Sequence, residues 1–464
     1  MFELNSFKDN IACITPSGEQ ISYGELHALS DSIKANIESH ELVFSLCGNT
    51  IGSLAGYVTF MNNDNATLLL DAHIEQSAFD TLYTAYQPKY VWAPEGFAAP
   101  DCAVIVCVER GYKLLKFENN HTLISEELAL LLTTSGSTGS PKLVRLSKEN
   151  VRSNALSIIE YLHITAEERP VTSLPMYYSF GLSIINSHLL TGATILLTEA
   201  SYVERDFWKF ANENGFTSFS GVPYTFEIMK FMKLWKQPMP TLRTLTQAGG
   251  KLSNELLQFF VEKFHPQGVN FYLMYGQTEA TARMSYLEPE FSISKLGSIG
   301  KGIPGGFFSL IDDDGQVIEG SDTVGELVYT GANVSLGYAE CAKDLMKDDE
   351  NKGVLHTGDL AYRDKDGFYF IAGRKKRFLK LFGNRVSLDY VETLLKPMLA
   401  ECVCVGNDSK LIVYTTSKGF NENAIIDYIV ERTKILRTVF SVRHIDEIPR
   451  TETGKIQYKN LIVD

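Results

Sequence analysis

The chain has 464 residues, 44% hydrophobic and 21% charged. That composition is ordinary for a folded protein and the length exceeds one core, so two or three domains are expected and disorder is not. A net charge of −13 and a pI of about 5.3 argue against a general nucleic-acid binder or a polybasic membrane protein, while anionic small ligands stay open because local charges hold them.

The first residues, MFELNSFKDN, show no basic patch ahead of an apolar run, so no signal peptide is expected. Apolar runs such as LLTGATILL are too short to span a bilayer. Cys13, Cys47, Cys102, Cys107, Cys341, Cys402 and Cys404 are odd in number and form no CxxC. Neither a disulfide framework nor a zinc site is suggested, and reduced thiols in a cytoplasmic protein are the expectation. ISYGELHALSDSIKANIE spaces Tyr23, Leu26, Leu29 and Ile33 along one helical face. CAVIVCVE (102–109) and GATILLTE (192–199) are short, β-branched and apolar, and read as buried strands. Helical and strand patterns alternate through the first 300 or so residues, which makes the class α/β.

At 131–147, LLTTSGSTGSPKLVRLS follows the apolar run ELALLL. Gly136 and Gly139 allow backbone angles that let successive N–H groups face one point, as in an anion nest. Thr134, Ser135, Ser137 and Thr138 add hydroxyls and Lys142 adds a full positive charge, so the set suits a polyphosphate. It is not a Walker A loop, which needs GxxxxGK[ST]. Beyond residue 295 or so, FFSLIDDDGQVIEG and LAYRDKDGFYFIAG each place Asp-Gly between alternating segments and read as hairpins, not calcium loops. From about residue 375, ECVCVGN and KLIVYTT read as strands and ENAIIDYIVERTKIL as a helix, giving a small α+β domain.

The 131–147 stretch resembles the phosphate loop of adenylate-forming enzymes: acyl-CoA synthetases, luciferases and the adenylation domains of peptide synthetases. Further segments follow in that family's order. MYGQTEATA (274–282) is similar to its YGxTE signature, HTGDLAYRDKDGFYFIAGRKKR (356–377) to its TGD and GR pair, FLKLFGNRVSLDYVE (378–392) to the loop used in the second half-reaction, and IPRTETGKIQYKNL (448–461) to its C-terminal P-[RK]-T-x-x-G-K segment. The resemblance covers nearly the whole chain and is weakest over the first 120 residues or so. It implies a large N-terminal domain (1–373) of several subdomains with mixed and parallel sheets, a hinge at 374–377, and a small mobile α+β domain (378–464).

The resemblance also implies roles. Thr278 bonds the α-phosphate, Glu279 ligates Mg²⁺ and Tyr275 lies against adenine; Gly276 and Gln277 belong to the same nucleotide site, and Ala248, Gly249 and Gly250 lie against adenine and the acyl chain. Asp359 accepts from the ribose hydroxyls, and Arg374 contacts the same sugar. Lys376 takes the hinge position, and Lys380 and Gly383 match the second-step loop. Lys455 is the catalytic lysine. Lys375 and Arg377 are read as solvated members of a basic run. The reaction implied is ATP-dependent conversion of a carboxylic acid to an acyl-adenylate, then transfer to a thiol, either CoA or the phosphopantetheine of a carrier protein.

LPMYYSFGLSIINSH (174–188) matches the segment lining the acyl pocket, with Tyr177, Tyr178, Phe180 and Gly181 as candidates. Amino-acid-activating relatives carry Asp where Gly181 stands, to pair with an α-ammonium, so a plain carboxylic acid is favoured over an amino acid. Lys251 is a possible counter-charge for a polar substrate, against the simpler reading of an exposed lysine after a turn. Two alternatives remain: an amino-acid ligase loading a carrier protein, and an inactive nucleotide-binding relative.

Overall fold

The computed structural model describes residues 1–100, 102–133, 142–381, 384–407, 409–433, 435–450 and 456–461. The architecture is mixed α/β, as expected. The chain divides into two compact units, Met1–Phe308 with Tyr329–Leu355, and Ser309–Val328 with His356–Asp464.

The first unit is built on two large sheets. One has eight strands in the spatial order 337–339, 143–147, 128–133, 66–71, 42–47, 90–94, 112–116 and 104–109. Its central strands, Leu42–Cys47 and Ala66–Asp71, are parallel and apolar on both faces, because helices cover both sides. Helix Ile51–Asn62 lies flat on this sheet. A Cβ at Gly56 would stand 2.3 Å from Trp92 Nε1, and one at Gly52 2.5 Å from the Tyr112 ring, so glycine sets the close approach. Helix Tyr23–Lys34 starts at a Ser22/Glu25 capping box and buries Tyr23, Leu26 and Ile33, with Leu29 half-buried.

One strand departs from expectation. Val104–Glu109 is a strand, but it forms the rim of the eight-stranded sheet and leaves Val104, Ile105 and Val108 exposed. Its apolar composition is that of an interior strand; only the sheet order shows that no further strand follows it among the described residues.

The second sheet's portion in this unit places Ser218–Gly221, Thr244–Gln247 and Asn270–Tyr275 side by side and parallel, then Ser285–Leu287 and Ser298–Gly302 antiparallel.

In the second unit, Val354–Arg363 and Tyr369–Arg374 form the hairpin expected from LAYRDKDGFYFIAG. Asp364 Oδ1 accepts from the backbone N–H groups of Asp366 (3.0 Å) and Phe368 (2.9 Å), and Gly367 takes φ +85°. The other Asp-Gly turn closes the same way, with Asp312 Oδ1 accepting from Asp314 and Gln316 and Ile311 bridging Val317. The aspartates thus serve their own turns. Beyond them, Cys402–Asn407, Lys410–Thr415 and Phe440–His444 make a three-stranded sheet, over which Leu388–Leu395 and Glu422–Thr433 bury one apolar face each.

Residues 309–328 group with 356–464 and not with the larger unit. The ties are specific: Thr357 Oγ1 donates to Leu327 O (2.7 Å), Arg363 Nη2 to Glu319 O (2.7 Å) and Lys375 Nζ to Glu326 (2.7 Å). Residues 356–373, expected in the larger domain, and the expected hinge at 374–377 both lie inside this second unit.

Candidate active site

Three parallel strands bring the site together. Gly221 registers with Gln247, and Gln247 with Leu273, so their carboxyl ends release loops at one edge of the sheet. That edge is where open parallel sheets bind ligands. The second strand hands over Ala248, Gly249 and Gly250; the third hands over Gly276, Gln277, Thr278 and Glu279. Gly249 has φ +82°, and a Cβ there would stand 2.6 Å from the Tyr178 hydroxyl, so this turn and Tyr178 touch. At Gly276 a Cβ would stand 1.7 Å from Ala282 O, which no side chain could meet. Gln277 Nε2 donates to the Tyr275 hydroxyl (3.3 Å), holding a half-buried ring next to Phe308.

The groups expected to meet phosphate and Mg²⁺ are fastened by hydroxyls. Thr278 Oγ1 lies 3.2 Å from Ser179 Oγ, at the start of helix Ser179–Leu189. Glu279 Oε1 accepts from the Tyr338 hydroxyl at 2.8 Å, and Lys142 Nζ stands 3.9 Å over the Tyr338 ring. Burial and the adjacent Glu279 carboxylate push the Tyr338 phenol well above its ordinary range, so it stays a donor. Tyr338 was not singled out in the sequence; its strand pairs with Leu143–Arg145, just after the phosphate loop. Thr134, Ser135, Gly136, Ser137, Thr138 and Gly139 lie outside the described residues.

Among the described residues no cluster of three His, Cys, Asp or Glu side chains could hold a metal. A lone carboxylate still fits Mg²⁺, which keeps waters and takes phosphate oxygens alongside one or two carboxylates.

On the acyl side, Tyr178 caps helix Ser179–Leu189, and burial pushes its phenol up to about 12. Tyr177 donates to Asp71 Oδ2 at 2.9 Å. Phe180 is buried. A Cβ at Gly181 would stand 2.2 Å from Pro175 O, so this backbone admits no Asp there. Lys251 is exposed. Arg283, four residues past Glu279, is buried against Phe180, a placement no motif signalled.

In the second unit, Asp359 and Arg374 face each other across the hairpin, and Arg374 Nε donates to the buried Asp359 carboxylate at 3.0 Å. Lys375 is half-exposed and pairs with Glu326, while Arg377 corrects the solvated reading. Its side chain is only 13% exposed and bonds both Asp389 and Glu392 at 2.5 Å. Its guanidinium also stacks 4.0 Å over the Tyr458 ring. Lys376 sits in a short 3₁₀ turn and Lys380 in strand Phe378–Leu381, whereas Gly383 and Lys455 lie outside the described residues.

An edge of hydroxyls, glycines and a lone carboxylate at the ends of parallel strands agrees with the family comparison. Residues 3–339 match the AMP-binding enzyme family, and the chain belongs to it. It is 29% identical over 366 residues to luciferin 4-monooxygenase of Nipponoluciola cruciata, covering 75% of this chain and 65% of that protein. It is 28% identical over 343 residues to indoleacetate–CoA ligase of Aromatoleum aromaticum, covering 71% of this chain and 65% of that one. The matches thus span about 65% of the length of these two relatives. In fold it is similar to o-succinylbenzoate coenzyme A synthetase (MenE) of Bacillus subtilis in complex with ATP and magnesium ion. The TM-score is 0.78 at 22% identity, over 99% of this chain and 98% of that one.

Proposed function

We propose that this chain activates a carboxylic acid with ATP and passes the acyl group to a thiol. The observation that carries this is the Lys142–Tyr338–Glu279 relay beside the Thr278–Ser179 pair, at the carboxyl ends of three parallel strands. Relatives that bear ATP, magnesium ion and CoA-ligase names support it.

A carboxylate oxygen attacks the α-phosphorus, the bond to the β-phosphate bridge breaks, and pyrophosphate leaves with the electron pair. The acyl-adenylate remains. A thiolate then attacks the acyl carbon and AMP departs. The protein's part is alignment and charge neutralisation. Thr278 and Lys142 meet phosphate oxygens; Glu279 would hold Mg²⁺, which neutralises the departing pyrophosphate when bound. Asp359 and Arg374 take the ribose. Lys455 offsets the repulsion between the incoming carboxylate and the α-phosphate. Residues 374–377 serve as the pivot between half-reactions, and Lys380 and Gly383 belong to the loop of the second. The acceptor is CoA or a carrier protein's phosphopantetheine, and the setting is cytoplasmic; among the described residues no helix is long and apolar enough to cross a membrane.

Hydroxylamine trapping with ATP and Mg²⁺ across a broad acid library tests the reading without knowing the acceptor. A hydroxamate and stoichiometric pyrophosphate from at least one acid are expected. No product from any acid would overturn it.

A further inference from the structure

Two arginines are fully buried in the first unit, and they are treated in opposite ways. Arg145 is saturated. Its nitrogens donate to the carbonyls of Tyr338, Lys347, Leu336 and Asp348 and to the Glu350 carboxylate (2.9 Å). Every face of that cation meets an oxygen with partial or full negative charge, and it ties the 336–350 segment to its neighbouring strand.

Arg283, 1% exposed, meets only weak neutral partners. Nε donates to Ser183 Oγ (3.1 Å), and Nη1 to the Tyr161 hydroxyl (3.2 Å) and Met274 Sδ (3.3 Å). The Phe180 ring lies 5.0 Å below the guanidinium. Among the described residues no carboxylate and no carbonyl pairs with it, and Nη2 donates to nothing. A buried charge without a counter-charge is costly, and hydroxyls and one ring face offset only part of that.

A small cavity of about 20 Å³, room for about one water, adjoins Arg283 and is lined by Ile184, His188, Ser220 and Thr246 among others. The Ser220 and Thr246 hydroxyls bond each other at 2.7 Å. Glu168 also borders this space, but it is occupied by the Thr217 hydroxyl and by Arg243 (3.3 Å). Phe180 and Ala248, both assigned to the acyl side, share one buried cluster with Ile184, Val222 and Met274, and Arg283 meets that cluster at Phe180 and Met274.

We propose that the acid taken by this site carries a second carboxylate, which ion-pairs with Arg283 at the far end of the acyl pocket. This rests on the acid-activating reading above. Arg283 is the specificity-determining residue: a bidentate carboxylate supplies the missing counter-charge, and a monocarboxylic acid leaves the cation unpaired.

The test uses full-length wild type, Arg283→Met and Arg283→Lys. The probes are linear dicarboxylates of about four to ten carbons and benzene dicarboxylates, each beside the monocarboxylate of the same skeleton. Pyrophosphate exchange and thermal melting are both read. In the wild type the dicarboxylate is favoured over its partner by about a hundredfold in kcat/KM, and only dicarboxylates raise the Tm. Arg283→Met reverses that preference, abolishes the Tm rise and, without ligand, melts above the wild type because an uncompensated charge is gone. Arg283→Lys keeps the preference with weaker binding, which still decides the matter should the methionine variant not fold. A wild type that favours monocarboxylates, or an Arg283→Met preference equal to wild type, overturns the inference. Exchange with no acid at all sinks the acid-activating reading instead, and the dicarboxylate-dependent Tm rise then decides Arg283 alone: present in wild type and lost in Arg283→Met upholds it, absent in wild type overturns it.

Discussion

In the first unit the groups assigned to Mg²⁺ and phosphate hang on neutral hydroxyls, Glu279 on Tyr338 and Thr278 on Ser179; in the second, opposite charges do the holding, Arg374 on the ribose candidate Asp359, and Asp389 and Glu392 on Arg377, which has no assigned role. Hydroxyl support leaves a carboxylate's charge undiminished for a ligand cation. Charge support spends it. The two ion-paired sites also differ from each other. The Arg374 side chain is 64% exposed while the Asp359 carboxylate is only 4% exposed, so the arginine can swing into solvent and leave the carboxylate to another donor. Arg377 is enclosed and cannot. Under the proposed function the first unit keeps its carboxylate unspent for a ligand, and the second holds one exposed cation, Arg374, beside an enclosed one, Arg377.

Four substitutions or conditions probe that contrast. The largest effect is expected from Lys376→Pro at the proposed pivot: acyl-adenylate forms, and thioester formation is abolished. Simultaneous loss of both steps, measured by pyrophosphate exchange and thioester yield, counts against a pivot there. Next, Lys455→Ala slows adenylation by about 10²–10³ while ATP binding persists, since a single preorganised charge is typically worth that much. Near-normal pyrophosphate exchange would move the catalytic cation elsewhere. In the first unit the steps are smaller. Tyr338→Phe removes one hydrogen bond to a charged carboxylate, worth about 1.5–3 kcal/mol, so the Mg²⁺ dependence of exchange should shift by tenfold or more. An unchanged Mg²⁺ titration would show that Tyr338 does not hold Glu279 for the metal.

The smallest effect at neutral pH concerns stability. Burial first, and the nearby Arg283 charge in addition, lower His188 to about 4, against an opposing bond to Ile184 O. The folded first unit keeps this ring neutral, while the unfolded chain protonates it near 6.5. The contribution of this ring is therefore constant above about pH 6.5, falls by about 1.4 kcal/mol per unit between 6.5 and 4, and levels off below. His188→Gln flattens that slope in urea midpoints measured across the range. An equal slope in the variant would place the titrating group elsewhere.

Much of this was readable beforehand because it is local. Gly276, Gly249 and the Asp364 and Asp312 turns obey backbone rules that neighbouring residues decide, and the motifs around Thr278 and Asp359 carry their chemistry within a few positions. The rest depends on distant partners. Tyr338 matters because it lies against Glu279, 59 residues away, and Arg283 because Ser183, 100 residues away, offers a hydroxyl and no carboxylate. Arg377 sits in a run of basic residues whose solvated reading is reasonable until Asp389, Glu392 and Tyr458 fold around it. Gly181 was visible as a missing aspartate, but not that Pro175 O blocks any replacement.

The rim strand Val104–Glu109 has a practical side. Its side chains Val104, Ile105 and Val108 are 52%, 54% and 52% exposed, and among the described residues no further strand pairs beyond it. An apolar rim strand is a template for pairing between copies, so loss of soluble protein on concentration is the expected outcome. A single lysine in place of Ile105 is the first change to make when shelf life limits an experiment, since it adds a desolvation penalty to stacking without reaching the strands that carry the chemistry.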